Sequence, residues 1–186
     1  MTPVLTSKSL SETFGFLLAA DLDLLKAGLI KLGKEAPIVV EVGTGAGTGT
    51  LAILEACPAA ELYSIDVNPD SSKYVRGRIH EAMLSDAKVH FLIGDSRVLY
   101  KDPMWAEIPI DFFLLDGEHS NEGIVVDLQG WAPLVSVKGT IAVHDYGAPG
   151  TLWARVAEIV DGTLVGWRRV AWSGTLALFR RKKAAK

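Results

Sequence analysis

Five acidic residues, Glu41, Asp66, Asp95, Asp116 and Asp145, stand at or just beyond the ends of short apolar runs in this 186-residue chain. Two histidines, His119 and His144, lie beside the last two acids. Apolar runs rich in β-branched residues read as buried parallel strands, so the acids gather at one edge if those strands share a sheet. One carboxylate there means little. Five ringing a single edge describe a site for a cation, a metal, or both. Imidazole titrates near neutral pH, which makes His119, three residues past Asp116, the candidate general base. A structural, hydrogen-bonding histidine is the competing reading.

The stretch Ile38 to Thr50, I-V-V-E-V-G-T-G-A-G-T-G-T, breaks from an apolar strand into a loop with glycine at every second position. Glycines 43, 45, 47 and 49 let the backbone take positive φ and let a flat ligand lie against it. The loop predicts a nucleoside-containing cofactor. The dinucleotide fingerprint G-x-G-x-x-G fails, because Thr48 or Thr50 stands where its third glycine belongs. The phosphate loop fails because no lysine follows these glycines. What fits is E-x-G-x-G-x-G, with Glu41, Gly43, Gly45 and Gly47 in place. Asp66 follows Glu41 by 25 residues, where a carboxylate meets ribose hydroxyls in a βαβ unit. An Asx-turn ahead of Pro69 is the alternative for Asp66.

At these residues the sequence resembles the class I S-adenosylmethionine-dependent methyltransferases, whose first motif has the E-x-G-x-G-x-G form. The charges agree: a carboxylate repels a pyrophosphate but attracts an ammonium and a sulfonium. The resemblance implies cofactor contacts from Glu41, Gly43, Thr44, Gly45 and Gly47, from Asp66 and Val67, from Asp95 and Ser96 of G-D-S, and from Asp116. For Asp95 and Ser96 the implied role is at the adenine amino group, with a helix cap as the rival.

L-L-D-G-E-H-S-N-E-G-I-V-V-D-L-Q-G-W and the later K-G-T-I-A-V-H-D-Y look like the small-molecule O-methyltransferase branch grouped as methyltransferase family 24. The similarity spans about residues 38 to 147. Lys138-Gly139 replaces a glycine pair, and Asn121 stands where an aromatic is often found, which leaves the substrate pocket open. Related catechol-type enzymes bind a divalent metal through acids at the fourth and fifth strand ends. Carried over, Asp116 and Asp145 are ligands and His144 is a further one, for magnesium or manganese. Magnesium prefers an all-oxygen shell, so direct ligation by His144 favours a softer ion. Against this, Asp116 could bond only to backbone at the cofactor loop, and His144-Asp145 could be a cap. Tyr146 and Trp153 are candidates for the acceptor pocket, with core packing as their alternative.

The elements that would carry these residues follow in order. Residues 7–33 read as one helix capped by Ser9 or Ser11 and stopped at Gly33. Strands are expected at 38–42, 62–65, 89–93, 110–115 and 140–143, with helices at 50–56, 70–86, 121–135 and 152–160 between or after them. A closing antiparallel pair lies near 164–170 and 175–179, and a poorly ordered basic tail covers 180–186. Alternating strands and helices predict a single α/β domain of Rossmann-like type, a doubly wound, seven-stranded, mostly parallel sheet.

Nearly half the residues are apolar (49%), and the net charge of −3 argues against a surface built broadly for nucleic acid. One cysteine, Cys57, excludes an internal disulfide and points to a reducing, cytoplasmic setting. No run approaches the ~20 apolar residues of a membrane span. The expected activity is methyl transfer from S-adenosylmethionine to a hydroxyl, or an amine, of a small molecule. A homodimer is one way to cover the substrate in so short a chain. The alternatives are an NAD-dependent oxidoreductase on a similar sheet and a non-catalytic S-adenosylmethionine-binding protein; a nucleic-acid methyltransferase ranks third.

Overall fold

The computed structural model describes residues 4–15, 17–147 and 154–182. Seven strands form one sheet: β1 (Ile38–Val42), β2 (Glu61–Asp66), β3 (Lys88–Ile93), β4 (Ile110–Leu115), β5 (Val135–Val143), β6 (Trp167–Ser173) and β7 (Leu176–Arg181). Their order is β3-β2-β1-β4-β5-β7-β6. The first five are parallel, and β7 runs antiparallel to both β5 and β6. The chain winds outward from β1 through β2 to β3, then crosses back to β4 on the other side of β1. That reversal opens a crevice beyond the carboxyl ends of β1 and β4, where ligands bind in open α/β sheets.

Both faces of the sheet are covered, which is why its central strands read as unbroken apolar runs. Alternate residues sort by face. Val39, Leu62, Phe112 and Leu114 pack with α1 (Ser7–Phe14), α2 (Ala19–Ile30), α3 (Thr48–Ala56) and α4 (Pro69–Glu81). Val40, Phe113, Leu115 and Ile141 pack with α6 (Asn121–Trp131) and α7 (Val156–Thr163). A single short turn of helix, α5 (Ser96–Leu99), follows β3.

The expected helix over 7–33 is two helices. Gly15, at φ 73°, ends α1 by donating its N–H to the Ser11 carbonyl, and α2 begins afresh after Leu18. Leucine periodicity runs through the break because both helices bury leucines against the same sheet face. The cap is also one turn earlier than Ser9 or Ser11. Thr6 accepts from the Ser9 backbone, and Ser9 Oγ accepts from the Thr6 backbone, a reciprocal capping box.

Differences elsewhere lie at element ends. β5 begins at Val135, with an irregularity before Thr140 restores its register to β4. The β6–β7 turn sits at Gly174, at φ 57°, so both strands lie later than expected. Arg180 and Arg181 belong to β7 and are not a loose tail; the Arg181 guanidinium donates to the carbonyls of Ala132 and Val135 and stacks on Trp167. Trp153 and the tail beyond Lys182 fall outside the described residues. Tyr146 is buried against Phe179 and Trp172, with its hydroxyl donating to Asp161, so it packs in the core.

Candidate active site

β1 delivers the glycine loop to the crevice and α3 carries the chain away. Gly43 has φ 97°, and a Cβ there would lie 2.0 Å from the Asp116 carbonyl, so only glycine lets the ends of β1 and β4 meet. Gly49, inside the first turn of α3, is equally confined: a Cβ would lie 2.4 Å from Glu41 Oε1. A cavity of about 690 Å³ runs along the carboxyl ends of the parallel strands, within the usual range for cofactor pockets.

Along the cavity from β2 to β3 the side chains are held by nearby backbone. Asp66 Oδ1 accepts from the Asn68 N–H at 2.8 Å and Oδ2 from the Gly45 N–H at 2.9 Å. The Asx-turn is therefore present, and the Gly45 bond ties β2 to the glycine loop; each oxygen has a second lone pair, and Asp66 lines the cavity. Val67 is exposed beside it. Asp95 caps α5 through the Arg97 N–H and takes a bidentate grip from the Arg97 guanidinium, which holds its carboxyl below the usual range. Arg97 also reaches Glu118 at 3.1 Å, bridging the ends of β3 and β4. Ser96 Oγ donates to Asp127 at 2.6 Å, and burial pushes that carboxyl up to about 6.

Glu41 takes a different place from the one expected beside the cofactor's charges. It is 1% exposed, faces α3, and accepts hydrogen bonds from Thr50 and Ser64, both at 2.6 Å. Burial outweighs those two bonds and pushes its carboxyl up to about 8, so it carries a proton at neutral pH. It supports the loop from behind and is not among the lining residues. Gly47, the N-cap of α3 at φ 85°, likewise sits behind the wall, against Val75. Gly43, Thr44 and Gly45 do line the cavity. Thr48, which the sequence reading passed over, lines it too, with a buried Oγ1 that has no hydrogen-bond partner among the described residues. A hydroxyl left in that state costs about 1–3 kcal/mol, so the wall suits a polar ligand.

At the ends of β4 and β5 the acids and histidines converge. His144 Nδ1 lies 2.6 Å from Asp116 Oδ1, and His119 Nε2 lies 3.2 Å from Asp145 Oδ2. Asp145 adopts a left-handed φ of 54°, a conformation that aspartate tolerates better than most residues. Asp116, His119 and His144 each offer a ligand atom, all within 4.8 Å of one another. The set expected from the resemblance was Asp116, His144 and Asp145; the geometry adds His119 to Asp116 and His144, with Asp145 turned toward His119.

The two imidazoles are driven apart. Burial lowers His119, and the neighbouring carboxylates of Asp145 and Asp116 do not reverse it. Burial opposes charge on His144 as well, but there Asp116, Asp145 and Asp21 outweigh it and push it up to about 9. Opposite shifts on neighbouring groups are found where acid–base or metal-binding side chains share a cleft, and also in structural ion-pair networks. Two imidazoles and a carboxylate also fit a divalent transition metal, whose ligand sets favour nitrogen with oxygen.

A family model for a methyltransferase domain, methyltransferase family 24, matches residues 40–146, more than half of the chain. No curated protein matches the sequence. Among solved structures, cofactor-bound Rv0187 from MTB superposes with a TM-score of 0.71 at 19% identity, covering 94% of this chain and 87% of that one. The SAH-bound Podospora anserina methyltransferase PaMTH1 gives 0.63 at 15% identity, over 87% and 78%. MycE from the mycinamycin biosynthetic pathway, in complex with Mg, SAH and mycinamycin VI, gives 0.65 at 17% identity, over 96% of this chain and 55% of that one. At such identities these likenesses establish the fold. The family match sets aside the oxidoreductase alternative, and the matched segment holds the glycine loop, Asp66, His119 and His144. The chain belongs to methyltransferase family 24 and is a class I S-adenosylmethionine-dependent methyltransferase.

Proposed function

We propose that the protein methylates a hydroxyl oxygen of a small molecule, and that a divalent cation held by Asp116, His119 and His144 orients that oxygen. The observation that carries this reading is the trio of ligand atoms within 4.8 Å of one another on the wall of the cofactor cavity. Two imidazoles in the set favour manganese, iron or zinc over magnesium. When bound, S-adenosylmethionine supplies an electrophilic methyl on a sulfonium, and a divalent ion supplies a Lewis acid that makes a hydroxyl more acidic.

The chain's own residues then have distinct tasks. Asp66 takes ribose hydroxyls, and Asp95 with Ser96 frames the base. The glycine loop and Thr48 meet the polar parts of the cofactor nearest β1. His119, expected as a base, is assigned here as a ligand, which its preference for the neutral form suits. Asp145 Oδ2, beside it on the same wall, is the group left to take the acceptor's proton. Displacement at a sulfonium needs little more than alignment and proton removal. The buried, unpaired thiol Cys57 suits a reducing compartment, and we place the protein in the cytoplasm on that ground. Among the described residues no helix is long and apolar enough to cross a membrane.

The test is transfer of a labelled methyl group to a panel of small phenols, catechols and sugars, with manganese and with a chelator. Transfer that needs manganese and disappears in Asp116→Asn is expected. Transfer indifferent to both would remove the metal from the reading. Failure to bind S-adenosylmethionine at all in calorimetry would remove the reading itself.

A further inference from the structure

Both oxygens of Asp95, at the end of β3, are taken. Oδ1 accepts from the Arg97 backbone N–H and from Arg97 Nε, both at 2.9 Å. Oδ2 accepts from the same Nε at 3.1 Å and from Nη2 at 2.8 Å. A carboxylate offers about four such positions, and here one arginine fills them. Arg97 is held in turn by Glu118, at 3.1 Å. The next polar side chain along this wall is Ser96, which is half-buried and lines the cavity.

Ser96 is bound in a way that decides what it can offer. Its Oγ donates to Oδ1 of Asp127 at 2.6 Å. Asp127 comes from the middle of α6, closes the sequence pattern that begins at Asp116-Gly117, and also lines the cavity although it is 1% exposed. Asp95, Arg97 and Glu118 are the charged groups around it, and burial pushes its carboxyl up to about 6, so at pH 8 it is ionised. An ionised carboxylate only accepts. The Ser96 proton is therefore committed to Asp127, and toward the cavity the hydroxyl has lone pairs alone. Such a group takes donors and rejects acceptors.

We infer that Asp127 is the positioning residue of the base pocket: it fixes the Ser96 hydroxyl as an acceptor, so that the cavity selects a 6-amino purine and rejects a 6-oxo one. The inference rests on the placement of the base at the end of β3 proposed above, and is independent of the metal. With Asp95 occupied by Arg97, the reading that the resemblance shares between Asp95 and Ser96 falls to the hydroxyl, under the control of α6. A 6-amino group supplies the proton that this hydroxyl lacks. A 6-oxo group would set oxygen lone pairs against oxygen lone pairs with no proton between them.

The experiment is calorimetry of the full chain at pH 8 with three ligands: SAH, its 6-oxo analogue, and the analogue whose purine carries only hydrogen at position 6. The proteins are the wild type, Asp127→Asn and Ser96→Ala. The wild type should bind the 6-oxo analogue about 10- to 100-fold more weakly than SAH, the cost of opposing two acceptors. That analogue also carries a proton at N1, so the diagnostic quantity is the change in the ratio between proteins. Asp127→Asn keeps the shape but presents a donor as well as an acceptor, which lets the hydroxyl turn and donate, and the ratio should shrink severalfold. A merely structural loss would weaken all three ligands alike and leave the ratio unmoved. Ser96→Ala should erase the preference for SAH over the 6-hydrogen analogue, in which N1 is unchanged. A wild-type ratio in Asp127→Asn overturns the inference. So does a retained preference in Ser96→Ala, which decides the matter even if Asp127→Asn does not fold. Equal binding of all three ligands by the wild type overturns it too and leaves methyl transfer standing, whereas no binding of SAH would bring down both.

Discussion

The cavity has two ends, and they hold their charges in opposite ways. At the ends of β2 and β3, each acid is satisfied by the backbone or by an arginine a few residues away: Asp66 by Asn68 and Gly45, Asp95 by Arg97. At the ends of β4 and β5, Asp116, His119, His144 and Asp145 are satisfied mainly by one another, with Asp21 behind them. The first end is a rigid cradle whose carboxylates are fixed before a ligand arrives. The second is a set of ionisable groups in contact with one another, where burial lowers His119 while the surrounding carboxylates raise His144. Binding should reside in the first and reactivity in the second.

If that division is real, a substitution at one end should leave the other measurable untouched. The largest effect is expected from His119→Ala. Losing one of three metal ligands should abolish most of the manganese-dependent kcat, while S-adenosylmethionine affinity in calorimetry stays at the wild-type value. A matching loss of cofactor affinity would mean that the two ends are one. Asp66→Ala should do the reverse. Two hydrogen bonds to a charged carboxylate, each worth about 1.5–3 kcal/mol, predict an affinity loss of about a hundredfold or more, with kcat at saturating cofactor retained. A kcat that collapses alongside would show Asp66 helping to align the reacting atoms.

The cradle was the more legible end, for a physical reason. Its contacts are local: a carboxylate at a strand end meets backbone two residues on, or the loop of the preceding βα unit, and linear spacing encodes both. Asp66 shows the limit, since ribose placement and Asx-turn looked like alternatives, yet one carboxylate with four lone-pair sites can serve both. Gly43 was legible as a turn but not as the point where β1 touches β4. The reactive end was visible in part, because Asp116, His119, His144 and Asp145 stand at strand ends. Which of them converge depends on the left-handed turn at Asp145 and on the crossover that sets β4 beside β5. Asp21 left no local signal; its partners are supplied by the β6–β7 turn, at the far end of the chain. The single long helix over 7–33 failed because leucine spacing reports a shared face and is blind to a glycine break within it.

Glu41 offers the finest test of the division, and the smallest expected effect at neutral pH. Its side was readable from the strand's period of two: Val39 and Glu41 share a face, and Val39 packs with α1–α3. That parity sends the carboxyl toward Thr50 and away from the cavity. Burial pushes it from an ordinary value near 4.5 up to about 8, so the folded protein holds a proton there that the unfolded chain releases. A folded-state pKa above the unfolded one means the stabilising contribution is complete below about pH 4.5 and is lost as pH rises through about 8. Glu41→Gln, which keeps the shape and cannot ionise, should therefore flatten the fall in urea midpoint across that window. At pH 7 it should change S-adenosylmethionine affinity little, because the group it replaces is already neutral and behind the wall. A parallel pH slope in wild type and variant would mean that Glu41 is ionised in the fold. A large loss of cofactor affinity would return it to the cradle, beside the cofactor's positive charges.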